Sequence, residues 1–113
     1  MKAYLIDPYE HSITGVDYSG DYKDIYKLID CQTFDCVGFR GFDDTIYVDD
    51  EGLYKDNLEF FMIKGYPQPL CGKALVLGVD RDGNSIRPKV SLTNLKKMVT
   101  FIPAFFIMAK GFV

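Results

Sequence analysis

The sequence contains no tryptophan, one histidine and three cysteines among its 113 residues. Cys31, Cys36 and Cys71 form no CxxC pair, which argues against a structural zinc site, and their odd number argues against a disulfide framework. The nucleophile elbow, the Walker loop and the HExxH motif are also absent. The only histidine, His11, falls in an expected turn, where a solvated side chain is the usual case. We therefore predict no catalytic residue, no metal ligand and no cofactor.

Long apolar runs are also missing, and none reaches the roughly 20 residues that a membrane-spanning helix needs. The most apolar segment, residues 101–113 (FIPAFFIMAKGFV), is shorter and is interrupted by Pro103 and Lys110. Because such a segment would promote aggregation if exposed, we expect a buried strand or a subunit interface, and hence a homo-oligomer. The amino terminus has no apolar stretch typical of a signal peptide, so we expect a cytoplasmic protein without membrane contact.

The composition indicates one hydrophobic core, with 48% hydrophobic and 26% charged residues. We therefore expect residues 1–113 to form a single domain. The net charge of -3 argues against a protein that binds nucleic-acid backbones through a basic stripe. Eight tyrosines and nine phenylalanines exceed what a core of this size needs, which predicts that some rings contact a partner.

Alternating or short apolar segments bounded by turn residues predict strands. These segments are residues 3–6, 13–18, 34–42, 45–48, 58–63, 74–79 and 84–89. The first two are expected to pair as a hairpin, and so are the last two, around the turn Asp80-Arg81-Asp82-Gly83. Residues 58–63 also fit a short helix, although the following Gly65-Tyr66-Pro67 break favours a strand. Two helices are expected. The first carries an apolar stripe of Tyr22, Ile25, Tyr26 and Ile29, and Ser91 caps a second over residues 92–99. The predicted fold is α+β, with one mixed, mostly antiparallel sheet and two helices.

The loop after the fifth segment is a candidate ligand-binding element. Two prolines in residues 66–70 (YPQPL) fix two φ angles, so the loop would lose little entropy on binding. Tyr66 can stack on a ring, Gly72 permits the close approach of a ligand or another backbone, and Lys73 can meet a phosphate or a carboxylate. The predicted ligand-binding residues are Tyr66, Gln68, Gly72, Lys73 and Arg40. A structural crossover whose prolines pack on the core is an equally good interpretation.

Acidic residues around the fourth segment are candidate partner-binding residues. They are Asp43, Asp44, Asp49, Asp50 and Glu51. Such a surface can cover a basic site on another protein by charge complementarity. Divalent-cation binding is one alternative, and a solvated turn that blunts a sheet edge is a simpler one.

Four stretches also carry a resemblance to a known family: KAYLIDP, ITGVDYSGDYKDIYKLIDC, DTIYVDDEGL and GYPQPLCGKALVLGVDRDG. With them the sequence resembles a family of small tailed-phage and plasmid proteins of unknown function, from the amino terminus to about Gly83. The most specific part is YVDDEGL followed by GYPQPL-x-G. Family members usually carry a smaller residue where Cys71 stands, and the segment from Phe101 onward is expected to depart most. The resemblance implies a phage or mobile-element origin and assigns no catalytic residues.

Three functional hypotheses follow. The leading one is a counter-defence protein in the host-cell cytoplasm that sequesters a small phosphorylated ligand, such as a nucleotide-derived immune signal. The alternative is an acidic protein–protein inhibitor of a host nuclease or polymerase, so that the partner is a host defence protein. A third is a small hydrolase of such a signal, with His11 or an acid of residues 49–51 as the base. We expect a binding protein rather than an enzyme.

Overall fold

Two antiparallel sheets and two short helices make up residues 1–54 and 58–103, which are the residues described by the computed structural model. The strands are β1 Lys2–Asp7, β2 Ser12–Asp17, β3 Phe34–Val37, β4 Asp44–Asp49, β5 Phe60–Ile63, β6 Leu70–Cys71, β7 Ala74–Val79, β8 Ser85–Ile86 and β9 Val99–Ile102. The helices are α1 Lys23–Leu28 and α2 Leu92–Met98, and Gly52–Tyr54 forms a 3-10 turn. The predicted α+β class is confirmed.

Strand β7 lies at the centre of the larger sheet, whose order is β2-β1-β7-β4-β3, with β8 paired to the end of β7. Ala74 and Val76 belong to one core cluster, whereas Leu75 and Leu77 belong to the other. Consecutive side chains of a strand point to opposite faces, so β7 is buried on both faces of the sheet. Both faces of the larger sheet must therefore be covered.

The smaller sheet, in the order β6-β5-β9, and helix α2 cover the first face. Phe61 and Ile63 of β5 and Leu95 of α2 are buried in one cluster with Ile6 of β1 and Ile46 of β4. Each of these side chains lies on the inner face of its own element. This layer brings the turn after β5 and the end of α2 close to one end of the larger sheet.

Helix α1 covers the second face of the larger sheet. Its Ile25 and the following Ile29 are buried in the cluster that contains Leu75 and Leu77 of β7. The predicted apolar stripe is correct for these two residues and for the half-buried Tyr26, which packs against the same cluster, but Tyr22 is 56% exposed. Tyr22 precedes the first turn of α1, and its ring meets the edge of the half-buried Tyr26 ring instead of reaching the sheet.

The structure corrects the prediction of one mixed sheet, because β5, β6 and β9 form a separate sheet and every strand pair in the described residues is antiparallel. Strand β5 supplies the physical reason. Phe60, Phe61 and Ile63 are all buried, so β5 has bulky apolar side chains on both faces. Phe61 and Ile63 are buried in the same cluster as Ile6 and Ile46 of the larger sheet, so stacking β5 over that sheet removes this face of β5 from water.

Several predicted boundaries also differ from the structure, and the strand predicted over residues 84–89 is present only at Ser85–Ile86. Strand β3 ends at Val37 instead of residue 42, since Gly41 adopts a left-handed φ of 89° and the rings of Phe39 and Phe42 stack on each other. Helix α2 ends at Met98, and Val99 already belongs to β9. The hairpin of β1 and β2, the hairpin of β7 and β8, and the strand at β5 agree with the predictions.

Within residues 1–54 and 58–103, no helix is both long enough and apolar enough to cross a membrane. Strand β9 contains the first two residues of the predicted apolar interface segment, 101–113. Residues 104–113 lie outside the described residues. The homo-oligomer and the role of this segment as a subunit interface therefore stay predictions.

Replacing Leu77 by Ala should lower the free energy of unfolding by about 2–5 kcal/mol, because Leu77 is fully buried in the central strand. Urea denaturation measures the loss. The matched control is Leu53→Ala, which removes the same atoms from a side chain that is 51% exposed and should change the free energy by less than about 0.5 kcal/mol. Equal losses in the two variants would contradict the central position of β7.

Candidate functional site

A cleft of about 450 Å³ lies between the loop that precedes β4, the turn after β5, the segment after β8 and helix α2. Three lysines line it, one from each of the last three elements: Lys64, Lys89 and Lys97. Asn94 and Phe42 contribute an amide and an aromatic ring to the same wall. The cleft thus combines three ammonium groups, an amide and a flat apolar surface.

Backbone hydrogen bonds hold Lys64 beside the end of helix α2. The Lys64 N–H donates to the carbonyl oxygen of Met98 at 2.9 Å and continues the pairing of Ile63 with Val99. Lys97 is the neighbour of Met98 in the last turn of α2. Two of the three lysines are therefore placed by the junction between α2 and β9.

Helix α2 is itself fixed at both its start and its inner face. The Ser91 hydroxyl oxygen accepts a hydrogen bond from the Asn94 N–H at 3.1 Å, as the sequence predicted for a helix cap. Leu95, in the middle of the helix, is fully buried against the larger sheet. The orientation of α2 that places Asn94 and Lys97 in the cleft is thus set by a cap and by core packing.

Lys89 is held by the carboxylate of Asp44, the first residue of β4. Asp44 Oδ1 accepts the Lys89 N–H at 2.8 Å, and Oδ2 accepts the Val90 N–H at 2.9 Å. Asp44 is only 4% exposed. This carboxylate was predicted to meet a partner protein, but its burial and its two backbone bonds give it a structural place in the wall of the cleft.

Stacked aromatic rings support the part of the cleft that Phe42 lines. The rings of Phe42 and Phe39 are stacked with centroids 4.9 Å apart, and Tyr66 is tilted against Phe39 at 5.9 Å. Gly65 has a φ of 100°, and a Cβ atom there would lie 2.8 Å from the Phe39 ring, so only glycine permits this packing. Tyr66 therefore packs on the core edge, as in the alternative interpretation of the proline loop as a structural crossover.

A second cavity of about 310 Å³ contains the predicted residues Gly72, Lys73 and Asp49. Its wall also includes three more carboxylates, those of Asp7, Glu10 and Asp30. Lys73 Nζ lies 2.6 Å from Asp30 Oδ2, and this hydrogen bond raises the pKa of Lys73 above its ordinary value. Four carboxylates against one paired ammonium group make this cavity a poor site for a phosphate.

Two carboxylates of the second cavity already accept hydrogen bonds from the backbone. Asp7 Oδ1 accepts the N–H groups of Tyr9 and Glu10, and Asp49 Oδ1 accepts that of Glu51. Within residues 1–54 and 58–103, no group of three or more histidine, cysteine or acidic side chains is arranged to hold a metal ion. We refer to the cavity lined by Lys73 as the acidic cavity and to the cleft lined by Lys64, Lys89 and Lys97 as the lysine cleft.

The predicted ligand-binding residues are thus separated. Gly72 and Lys73 line the acidic cavity, Tyr66 packs on Phe39, and the exposed Gln68 and Arg40 line neither site. Among the predicted partner-binding residues, Asp43 lies on the wall of the lysine cleft, whereas Asp49, Asp50 and Glu51 lie near the acidic cavity. Asp43, Asp50 and Glu51 are exposed, and Asp49 is half-buried.

Lys64, Lys89, Lys97 and Asn94 were missed by reasoning from the sequence alone. Each lysine in isolation fits a solvated side chain at the end of an element. Only the pairing of β5 with β9 and the contact of the segment after β8 with Asp44 bring them to one cleft. The break at Gly65 and the proline before Lys89 were the available signals that these lysines end elements.

Residues 1–100 match a family described as Domain of unknown function (DUF3846). The chain belongs to this family. It is 30% identical over 95 residues to the Uncharacterized protein y4iR of Sinorhizobium fredii (strain NBRC 101917 / NGR234), an alignment that covers 80% of this chain and 56% of that protein. The chain therefore spans little more than half the length of this relative. No solved structure matches the chain. The expected membership of a family of unknown function is confirmed.

Replacing Lys73 by Met should destabilise the protein by less than about 1 kcal/mol at neutral pH, because the pair is partly exposed, with 26% of the Lys73 side chain and 68% of the Asp30 side chain accessible. Because the pKa of Lys73 is higher in the folded protein than in the unfolded chain, its charge stabilises the fold fully at pH values below the unfolded pKa. This contribution is lost as the pH rises through the pKa of the folded protein. The destabilisation of the variant in urea denaturation should therefore shrink as the pH rises above the ordinary lysine pKa of about 10.4. A difference that grows with pH would contradict this contact.

Proposed function

We propose that this protein binds a small phosphorylated ligand in the lysine cleft and so keeps it from other proteins. The observation that carries the proposal is the convergence of Lys64, Lys89 and Lys97 on one cavity in a chain whose net charge is -3. Three like charges repel one another, so a cleft that assembles them favours an anion as the occupant. Lysine ammonium groups are common ligands of phosphate groups.

The charges in the cleft support this proposal. Within the described residues, none of the three ammonium groups takes part in an ion pair. Asp44 directs its oxygens to backbone N–H groups, and Asp43 is the remaining carboxylate of the wall. The described wall thus holds three ammonium groups and two carboxylates, an excess of one positive charge.

The aromatic wall favours a ligand with a flat ring. Phe42 lines the cleft and is itself supported by the stacked ring of Phe39. Aromatic side chains of this kind stack with nucleobases, whereas Asn94 offers both a hydrogen-bond donor and an acceptor. The volume of about 450 Å³ falls in the range of about 300–1,000 Å³ typical of small-molecule sites. A nucleotide-derived ligand matches these features.

Sequestration rather than turnover is the better match to the cleft. Among the described residues, its wall contains lysine, asparagine, aspartate and apolar side chains, with neither a histidine nor a cysteine. His11, the base considered for a hydrolase, lies on the turn between β1 and β2, and its ring stacks on Phe101 at 5.1 Å. A nucleotide-derived immune signal and a counter-defence role in a phage or mobile element would suit such a binding protein.

Calorimetry should detect binding of at least one member of a panel of cyclic dinucleotides, ADP-ribose and adenosine nucleotides. Replacing Lys64, Lys89 or Lys97 by Ala should weaken it about tenfold each, which corresponds to about 1.4 kcal/mol, because each variant removes a charge-assisted contact to phosphate. Raising the ionic strength should weaken binding by the wild type as well.

Lys23→Ala and Lys27→Ala are the matched controls, because both lysines are exposed on α1, which packs on the other face of the larger sheet. They should bind as the wild type does. The absence of heat from every ligand in the panel would contradict the proposed function. Equal losses in the control and the cleft variants would place the ligand elsewhere.

The acidic surface supports a second candidate function, the inhibition of a basic protein such as a nuclease or polymerase. A pocket of about 250 Å³ shares Asp49 and Gly52 with the acidic cavity and adds Asp50 and the exposed Leu53. The two sites thus form one surface with carboxylates around an apolar side chain. An apolar anchor surrounded by charge is a common pattern in protein–protein recognition.

Reversing the charge of Asp49 and Asp50 to Lys should abolish capture of a basic protein from host lysate, because the new charges repel its binding site. Asp50→Lys alone should weaken capture, and the matched control Asp82→Lys, in the exposed turn between β7 and β8, should leave it intact. Quantitative mass spectrometry of the captured proteins provides the measurement. Unchanged capture by the doubly reversed protein would exclude the acidic surface as the interface.

A further inference from the structure

The segment that carries Lys89 crosses the end of the larger sheet at very close range. We call residues 87–90 the strap, since they follow β8 and lead to α2. Asp44 and Gly78 are direct partners in the pairing of β4 with β7, and the strap passes over this pair. A Cβ atom on Gly78 would lie 2.5 Å from the Arg87 carbonyl oxygen and 3.3 Å from Asp44 Oδ1.

Two constraints therefore act on the strap from below. Gly78 leaves room for the strap backbone, and the Asp44 carboxylate holds that backbone through the N–H groups of Lys89 and Val90 at 2.8 and 2.9 Å. Pro88, the residue before the two donors, is buried and has a fixed φ. The backbone of Lys89 is thus held on both sides, and its side chain starts from a fixed point on the wall of the cleft.

We infer that Asp44 is a positioning residue of the lysine cleft, which acts on an anionic ligand by holding Lys89 beside Lys64 and Lys97. The inference rests on the proposed function, in which the cleft binds a phosphate-bearing ligand. Asp44 itself is buried, and each of its carboxylate oxygens accepts a hydrogen bond from the strap, so it does not touch the ligand. Its role differs from that of the three lysines, which contact the phosphate directly.

A carboxylate suits this role better than any other side chain of its size. Two N–H donors that point to one side chain need two acceptor oxygens, and an ionised carboxylate provides them without any donor of its own. An asparagine in the same place offers one acceptor and one NH2 group, which would oppose the second backbone donor. Asp44→Asn therefore changes the hydrogen bonds and almost nothing in the volume.

The first test is a double-mutant cycle in ligand affinity, with pyrophosphate and ADP as the probes. Asp44→Asn should weaken binding about five- to tenfold in the wild-type background and less than about twofold in a Lys89→Ala background, because the residue acts through Lys89. In a Lys97→Ala background, Asp44→Asn should again weaken binding about five- to tenfold. Gly78→Ala, which displaces the strap by a different route, should follow the same pattern.

A second test reads the position of Lys89 without any ligand. A short amine-reactive crosslinker should join Lys89 to Lys97 and Lys64 to Lys97 in the wild type, and peptide mass spectrometry measures both products. Asp44→Asn should reduce the first product and leave the second unchanged. Loss of both products would indicate a general change of fold, which overturns the specific assignment to Lys89.

Amide hydrogen exchange of the wild type provides a test that needs no variant. The Lys89 and Val90 amide protons should be protected as strongly as those of the β7 ladder, because both are bonded to a buried carboxylate. If these two protons exchanged at the rate of an unprotected loop, the inference would be overturned even if the Asp44→Asn and Gly78→Ala variants failed to fold.

The outcomes separate the two proposals. If the wild type binds neither pyrophosphate nor ADP nor any ligand of the larger panel, the proposed function fails and the assignment of Asp44 fails with it. If the wild type binds and the three lysine variants weaken binding, but Asp44→Asn has the same effect with and without Lys89, the positioning role alone is wrong.

Discussion

The burial of β7 on both faces is the constraint on which the remaining structure depends. A strand with the sequence ALVLGV has no face that tolerates water, so the chain must supply cover above and below it. Helix α1 provides one cover, and the smaller sheet together with α2 provides the other. The second cover leaves the turn after β5 and the end of α2 at the same end of the larger sheet, and two of the cleft lysines follow from that placement.

The third lysine depends on the end of the same strand. Gly78 is the last fully buried residue of β7, and its missing side chain lets the strap cross directly above the sheet. The partner strand presents Asp44 at this point of the register, where two backbone donors of the strap require acceptors. Core packing and the lysine cleft are therefore linked through one cross-strand pair, Asp44 and Gly78.

Local elements could be predicted from the sequence because their signals are local. The Asp80-Arg81-Asp82-Gly83 turn, the Ser91 cap and the alternation over residues 13–18 depend only on neighbours in the chain, and the structure contains all three elements. The division into two sheets could not be predicted, since the pattern of β5 fits any strand with two buried faces. The lysine cleft could not be predicted either, because 33 positions separate Lys64 from Lys97 and ordinary solvated lysines look the same in sequence.

The two sites show why the charge of one residue does not decide what a cavity binds. Lys73 is a predicted contact for a phosphate or a carboxylate, yet Asp30 lies 2.6 Å away and three further carboxylates line the same cavity. Lys89 lies near a carboxylate as well, but Asp44 turns its oxygens to backbone N–H groups and leaves the ammonium group without an ion-pair partner among the described residues. Whether a lysine is ion-paired or can meet a ligand depends on the direction in which the neighbouring carboxylate points. Backbone N–H donors set that direction at Asp44.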